Sequence, residues 1–406
     1  MNTGDTAFIL VSAALVLLMT PGLALFYAGM VRSKNALGTI MQSFILIGVI
    51  SLEWILVGYS MSFGPDKWGI IGGLEWFALN GVGSTPHEVY ATTIPHNVFM
   101  IFQCMFAVIT PALITGAFAE RMKFGSFLLF SLLWAILVYN PLCHWIWGNG
   151  GWLAELGARD FAGGVAVHLS SGVAALVAAI MLGKRKGYGS DELKPHNLPM
   201  TLLGAGILWF GWFGFNAGSA LSVGAVAGNT FVATHIAGTT GALAWIAMEW
   251  KAIGKATTLG AASGAVAGLA TVTPASGFIG PISAAIIGVL AGIICYLGIM
   301  LKNRFGYDDS LDVVGIHGVG GVLGLFATGL FASLAVNPDG ANGLFFGNPV
   351  QLGIQCISIG VTIVYTFVIT YILFKLIDKI LGLRVSDDDE ISGLDLSQHE
   401  ETAYNL

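Results

Sequence analysis

The sequence predicts an all-α polytopic membrane protein, and three observations carry that prediction. Of 406 residues, 55% are hydrophobic and only 10% charged, apolar runs of about 20 residues recur along the whole chain, and the basic residues gather in alternate connections between those runs. Crossing a bilayer core takes about 20 residues of helix, so each run is read as one span. The net charge of −6 is small and the cations are scattered between spans, which excludes nucleic acid as a partner. Cys104, Cys143, Cys295 and Cys356 stand far apart in apolar stretches without CxxC spacing. They read as packing residues rather than a disulfide framework or a metal site.

The first run, roughly Phe8 to Val31, has only Asp5 before it and Arg32 and Lys34 behind it, the reverse of a secretory signal peptide. It reads as a retained span entering from outside, with Thr20–Pro21–Gly22 as a point of bending or processing. Further spans are predicted near residues 37–63, 95–117, 124–147, 161–183, 199–218, 226–249, 257–273, 278–301, 311–334 and 350–381, eleven in all. Lysine and arginine mark cytoplasmic loops, and 15 of the 17 basic residues fall on one side of this arrangement, leaving Lys67 and Arg159 opposite. The N-terminus is therefore placed outside and the C-terminus inside. Span 11, about 48 Å as a helix, must tilt or protrude. Residues 1–383 form the membrane domain and 384–406 a tail expected to bind the cytoplasmic face, although its acidic run Asp387–Glu390 would on composition alone be solvated and disordered.

Glycine, at 56 residues, recurs at small-xxx-small spacing, as in Gly260, Gly264 and Gly268 or Gly320 and Gly324. Such spacing brings helix backbones close where lipid supplies no hydrophobic drive. In span 5 the only ionisable side chain is His168, two turns inside the helix, and an ionisable group at that depth faces a lumen or a buried partner. The partner is expected to be His317, in the glycine-rich span 10. Burial penalises imidazolium, so both rings are expected to stay neutral and to hydrogen-bond to each other along a narrow path. Because the two histidines stand in spans 5 and 10, the halves are expected to form a five-plus-five inverted pseudo-repeat.

Other polar residues have plainer readings. Asp160, at the start of span 5, suits a cap for first-turn amides, and Asp312, before His317, a cap or loop anchor. Glu53, deep in span 2, is expected to hydrogen-bond at a subunit interface. His235 reads as a satisfied packing residue, and His96, His144 and His196 as interfacial. No HExxH or close cluster completes a metal shell, so neither an enzyme nor a cofactor is indicated.

The segments TPGLALFYAGMVRSKN, GAFAERMKF, DFAGGVAVHLSSG, KPHNLPM, GWFGFNAGSAL, ATVTPASGFIGP, DVVGIHGVGG and GLRVSDDDEISGLDLSQHEETAY give the chain a resemblance, over nearly its whole length, to bacterial members of the Amt/Mep/Rh ammonium transporter family. The resemblance implies an eleven-helix bundle assembled as a homotrimer in the cytoplasmic membrane, with one pore per subunit. It places an outer ammonium site on Phe106, Trp147 and Ser219, with Trp145 and Trp152 as alternatives for the tryptophan. An indole face attracts a small cation, and a serine hydroxyl accepts an ammonium N–H. It also places gate rings at Phe106 and Phe215, with Phe102 and Trp212 nearby, and gives Asp160 a secondary electrostatic role. The implied function is ammonium recruitment, deprotonation and passage of ammonia along the histidine pair, with a proton relayed separately. It further implies a PII-type regulatory protein at the cytoplasmic face. An ammonium sensor signalling through the tail is the alternative.

Overall fold

The structure is a computed structural model that describes residues 1–404. Among these residues ten helices are long and apolar enough to cross a membrane, and Thr258–Val272 is a shorter apolar helix. In chain order, with the numbering of the expected spans, they are Thr3–Met30 (span 1), Ser33–Phe63 (span 2), His96–Phe118 (span 3), residues 124–147 (span 4), Gly164–Leu182 (span 5), Leu198–Gly218 (span 6), Ala225–Ile253 (span 7), Thr258–Val272 (span 8), Pro281–Phe305 (span 9), Val314–Phe331 (span 10) and Pro349–Leu381 (span 11). Hydropathy locates these elements well because a helix in lipid satisfies its own backbone and must be apolar for its full length.

Span 1 runs as one helix, Thr3–Met30, with Pro21 inside it. Gly22 serves packing. A Cβ there would come within 2.7 Å of Ile207 Cγ2 on span 6, and spans 1 and 6 form the most extensive helix pair of the fold. Around it, spans 1, 2 and 3 pack on one another and span 3 on span 5, while spans 6, 7 and 8 pack on one another and span 8 on span 10. Spans 3 and 5 are the most enclosed, and span 11 lies outside spans 5 and 10.

Three features have no counterpart in the hydropathy pattern. Spans 2, 4, 5 and 10 contain π-helical turns, at Trp54–Gly58, Ala135–Tyr139, Gly164–Leu169 and Val314–Val319; such turns occur mostly at functional positions. The loop between spans 2 and 3 folds into two hairpins, Asp66–Lys67 with Ile71–Gly72 and Pro86–His87 with Ala91–Pro95. The tail is not a solvated strand but two short helices, Asp387–Ser392 and Leu394–His399, laid against the loops opposite the hairpins.

The acidic run divides accordingly. Glu390 is fully buried, accepting from Lys186 N at 2.6 Å and from Arg384 Nη2 at 2.6 Å, whereas Asp387 stays exposed and pairs with Lys186 Nζ at 2.6 Å. Asp395 is buried and accepts from Leu37 N and Gly38 N at 3.0 and 2.8 Å, so the tail caps the start of span 2.

Candidate functional site

Two cavities follow one another through the bundle. The first, on the hairpin side, is a vestibule bordered by Tyr90, Gln103, Phe106, Trp147, Phe161 and Ser219. The second is a narrow lumen holding His168 and His317 among Ile109, Leu113, Leu208 and Val266. Between them Phe106 and Phe215 stack at 4.1 Å with their planes 27° apart, and both are buried.

Local sequence explains the positions. Phe99, Gln103 and Phe106 are four and three residues apart on span 3, which puts them on one helix face, and all three border the vestibule. Trp147 ends span 4; its Nε1 donates to Asp160 O at 2.8 Å, and its ring meets Phe106 at 6.0 Å, edge to face. Of the three tryptophans, Trp147 alone borders this cavity. Trp145 turns away, donating to Ile70 O and packing on Trp152 and Tyr365. Ser219 Oγ donates to Phe215 O at 2.9 Å, which leaves its lone pairs as acceptors.

Phe102 and Trp212, expected near the gate rings, lie beside them, Phe102 at 5.1 Å from Phe106 and Trp212 at 5.9 Å from Phe215. Phe102 is fully buried behind Phe106, edge-on at 5.1 Å, because its place one residue before Gln103 turns it off the vestibule face. Trp212 belongs to the lumen: it stacks on His168 at 5.6 Å, while its Nε1 donates to Thr273 Oγ1 at 2.9 Å.

The histidine rings lie nearly parallel, 13° apart, with Nδ1 facing Nδ1 at 3.2 Å. A hydrogen bond there needs one donor and one acceptor, so two imidazolium rings, each a donor at both nitrogens, are excluded. His168 Nε2 has no hydrogen-bond partner among the described residues. The close approach of the two spans comes from glycines placed in register with the histidines. A Cβ on Gly172, four residues after His168, would lie 2.2 Å from Gly318 Cα, and one on Gly321, four after His317, would lie 2.8 Å from Leu169 N.

The π turns of spans 5 and 10 each begin at a buried carboxylate. Asp160 is buried and accepts from the amides of Gly163, Gly164 and Val165 at 2.8, 2.6 and 2.7 Å. At span 10 the corresponding group is Asp309, which accepts from Val314 N at 2.8 Å; burial pushes its carboxyl up to about 6. Sequence reasoning named Asp312 and missed Asp309. The available signal was the offset, since Asp160 and Asp309 each precede a pore histidine by eight residues. Asp312 adopts φ 64° and pairs with Lys302 Nζ, the contact of a loop anchor.

The remaining polar residues differ from expectation in instructive ways. Glu53 is buried and its Oε1 accepts from Asn140 Nδ2 at 2.8 Å, while Oε2 has no hydrogen-bond partner among the described residues. His144 is fully buried, between Ser62 O and Asp66 Oδ1 at 3.0 Å each, and His96 is buried against the Tyr59 hydroxyl at 2.5 Å; the hairpins cover both span ends. His196 contacts Val31 O and the Tyr404 hydroxyl of the tail. His235 is exposed on the outer face of span 7, beside Trp209 and Phe213.

A multi-span helical bundle with an aromatic vestibule, stacked rings and a histidine-lined lumen is the architecture of a membrane transporter of a small solute. The chain matches the Ammonium Transporter Family over residues 7–404 and belongs to it. It is 53% identical to the ammonium transporter of Bacillus subtilis over 405 residues, covering 100% of this chain and 99% of that protein. It is 50% identical to ammonium transporter Amt1 of Archaeoglobus fulgidus over the whole of both chains. Among solved structures, Mep2 of Saccharomyces cerevisiae superposes with a TM-score of 0.89 at 36% identity, covering 96% of this chain and 88% of the other.

Proposed function

We propose a route for ammonium transport, the activity of this chain's family, that runs from the vestibule through the lumen with the charge removed on the way. Ammonium enters the vestibule, where the Trp147 ring attracts it through its quadrupole and Ser219 Oγ accepts one of its N–H bonds. Carrying the cation further is costly, because an unpaired charge loses its hydration in an apolar lumen. It therefore gives up a proton near the Phe106–Phe215 stack; the imidazoles of His168 and His317 relay that proton separately by tautomer exchange, and neutral ammonia passes the phenyl rings. Asp160 favours the cation at the mouth while bracing the first turn of span 5.

The observation that carries this reading is the coplanar His168–His317 pair in a lumen closed by stacked phenyl rings. Neutral imidazoles offer ammonia a donor and an acceptor without a net charge, and exchange of tautomers moves a proton along the same rings. Potassium has no proton to surrender. The reading places the hairpins outside and the tail in the cytoplasm, in the cytoplasmic membrane, supported by the distribution of basic residues. It takes the bundle as two inverted halves of five spans, supported by the matching helix pairings and by the reciprocal Gly172 and Gly321 contacts. A homotrimer is supported by His235, an imidazole on the outward face of a span where lipid contact is unfavourable, beside Trp209, whose Nε1 has no partner. Residues 384–406 are read as a regulatory segment, and the face that it covers as the docking place of a PII-type protein.

Ammonium-evoked currents in proteoliposomes test the route. In His168→Ala and His317→Ala the current should fall more than ammonia passage does, and His168→Asp should let potassium compete or conduct. Wild-type current and selectivity in all three would make the pair structural only.

A further inference from the structure

The vestibule holds one polar group that the route above does not use. Gln103 is only 9% exposed and borders the cavity together with Trp147 and Ser219, yet its Oε1 is buried without a hydrogen-bond donor among the described residues. Buried side-chain carbonyls in folded proteins are nearly always paired, and an orphan calls for an explanation. The cost of leaving it unpaired is a reason for an apolar residue at this position, as at its helix-face neighbours Phe99 and Phe106, unless the site takes a donor from outside the chain.

We propose that Gln103 is a specificity-determining residue of the ammonium site, its side-chain carbonyl being the second neutral oxygen, after Ser219 Oγ, to accept an N–H of the cation. The inference rests on the reading of the vestibule as the recruitment site. The chemistry suits ammonium in three respects. Every N–H of ammonium is a donor, and the vestibule otherwise presents aromatic faces with few acceptors: the Trp147 indole N–H can only donate, and one lone pair of the Tyr90 hydroxyl oxygen is already taken by Asn149 N at 2.6 Å. A half-turn about the last side-chain bond exchanges the oxygen and amino ends of the amide, and a ligand that can only donate selects the orientation with oxygen towards it. An amide is also uncharged. It rewards directional N–H bonds without the fixed negative charge that would hold any monovalent cation and resist its release as ammonia. Potassium gains little from two oxygens in exchange for its hydration shell.

The experiment compares Gln103→Met, similar in shape and without the acceptor, Gln103→Glu, with a charged acceptor, and Ser219→Ala, each reconstituted into liposomes and checked for folding by size-exclusion profile. Half-saturation and maximal current are read from ammonium titrations, with potassium as competitor. Gln103→Met should raise the half-saturation concentration about tenfold, the effect of losing one hydrogen bond to a charged group, and by more than it changes the maximal current. Gln103→Glu should lower half-saturation and make potassium an effective competitor. If half-saturation is unchanged in both Gln103 variants while Ser219→Ala raises it, the inference is overturned and the recruitment site stands. If Ser219→Ala leaves it unchanged as well, the recruitment site itself is wrong. Should Gln103→Met fail to fold, Gln103→Glu decides alone, since unchanged affinity and potassium exclusion there contradict the inference.

Discussion

The lumen divides its work among a few side chains whose separations leave little freedom. Phe106 and Phe215 touch across the path at 4.1 Å, and below them Phe215 lies 6.2 Å from the His168 ring, so one ring separates the vestibule from the histidines. Phe215→Ala should therefore do two measurable things. Removing a fully packed phenyl ring costs about 3–5 kcal/mol if the site cannot collapse, which lowers the thermal stability of the purified protein. It also opens the histidine level to water, so osmotic water permeability of reconstituted vesicles should rise above that of the parent. A permeability equal to the parent's would mean that another constriction closes the path. At this scale the sequence was legible where a residue's chemistry was costly, as for His168 and His317, deep imidazoles that required a partner. It was not legible where several residues of one type competed, because which of 25 phenylalanines meet across a lumen depends on helix rotation.

At the scale of elements, the histidine distance is set by the crossing of spans 5 and 10. Gly172 and Gly318 form the contact, and a Cβ on Gly172 would come within 2.2 Å of the Gly318 backbone. Gly172→Val would force the two π turns apart and break the 3.2 Å contact. Transport should be lost, and the melting temperature should fall well below that of the parent. Gly353, on span 11, has open space where its Cβ would stand. There Gly353→Ala removes only the entropic disadvantage of glycine, about 1 kcal/mol in helix propensity, and should leave transport intact with equal or higher stability. Identical behaviour of the two variants would show that close approach at Gly172 does not matter. The small-xxx-small spacing announced tight packing in general; which glycine faced which partner could not be read from one helix at a time.

Across the whole molecule, the loops on the tail side are tied by a buried charge network. Glu120 accepts from Arg32 Nε at 3.0 Å and pairs with Arg185 Nη1 at 2.9 Å, and Arg185 Nε reaches Asp308 Oδ2 at 2.9 Å. Burial alone would raise the Glu120 and Asp308 carboxyls, but Arg185, with Arg32 beside Glu120 and Arg121 beside Asp308, brings both below the ordinary range. Carboxyls lowered in the folded state stabilise it at pH values above their unfolded values of about 4. That contribution is lost as pH falls through the lowered values. The melting temperature should be flat with respect to this network from neutral pH down to about 5 and drop below about 4. Glu120→Gln should weaken this acid dependence and destabilise at neutral pH, by about 3 kcal/mol for a broken buried pair. An unchanged acid profile in that variant would remove the network from the account. The tail rests on the same loops through Glu390 and Lys186, so deleting residues 384–406 should abolish binding of a PII-type partner and alter uptake. Unchanged affinity and uptake would leave the tail without a regulatory part.

The sequence by itself determined the class, the positions of the membrane helices and the depth of the two histidines. Lipid makes those properties local: each span must be apolar along its own length, and each buried ionisable group is conspicuous within its own helix. Tertiary structure decided what depends on rotation and on long-range pairing. It brought Trp147 rather than Trp145 to the vestibule, stacked Trp212 on His168, gave the cap of span 10 to Asp309, and folded Glu390 into the body of the protein. None of these is encoded in the composition of a single segment. Each follows from which face of one helix meets which face of another, and in an apolar bundle that choice is made by packing between helices, not by the contrast between water and oil.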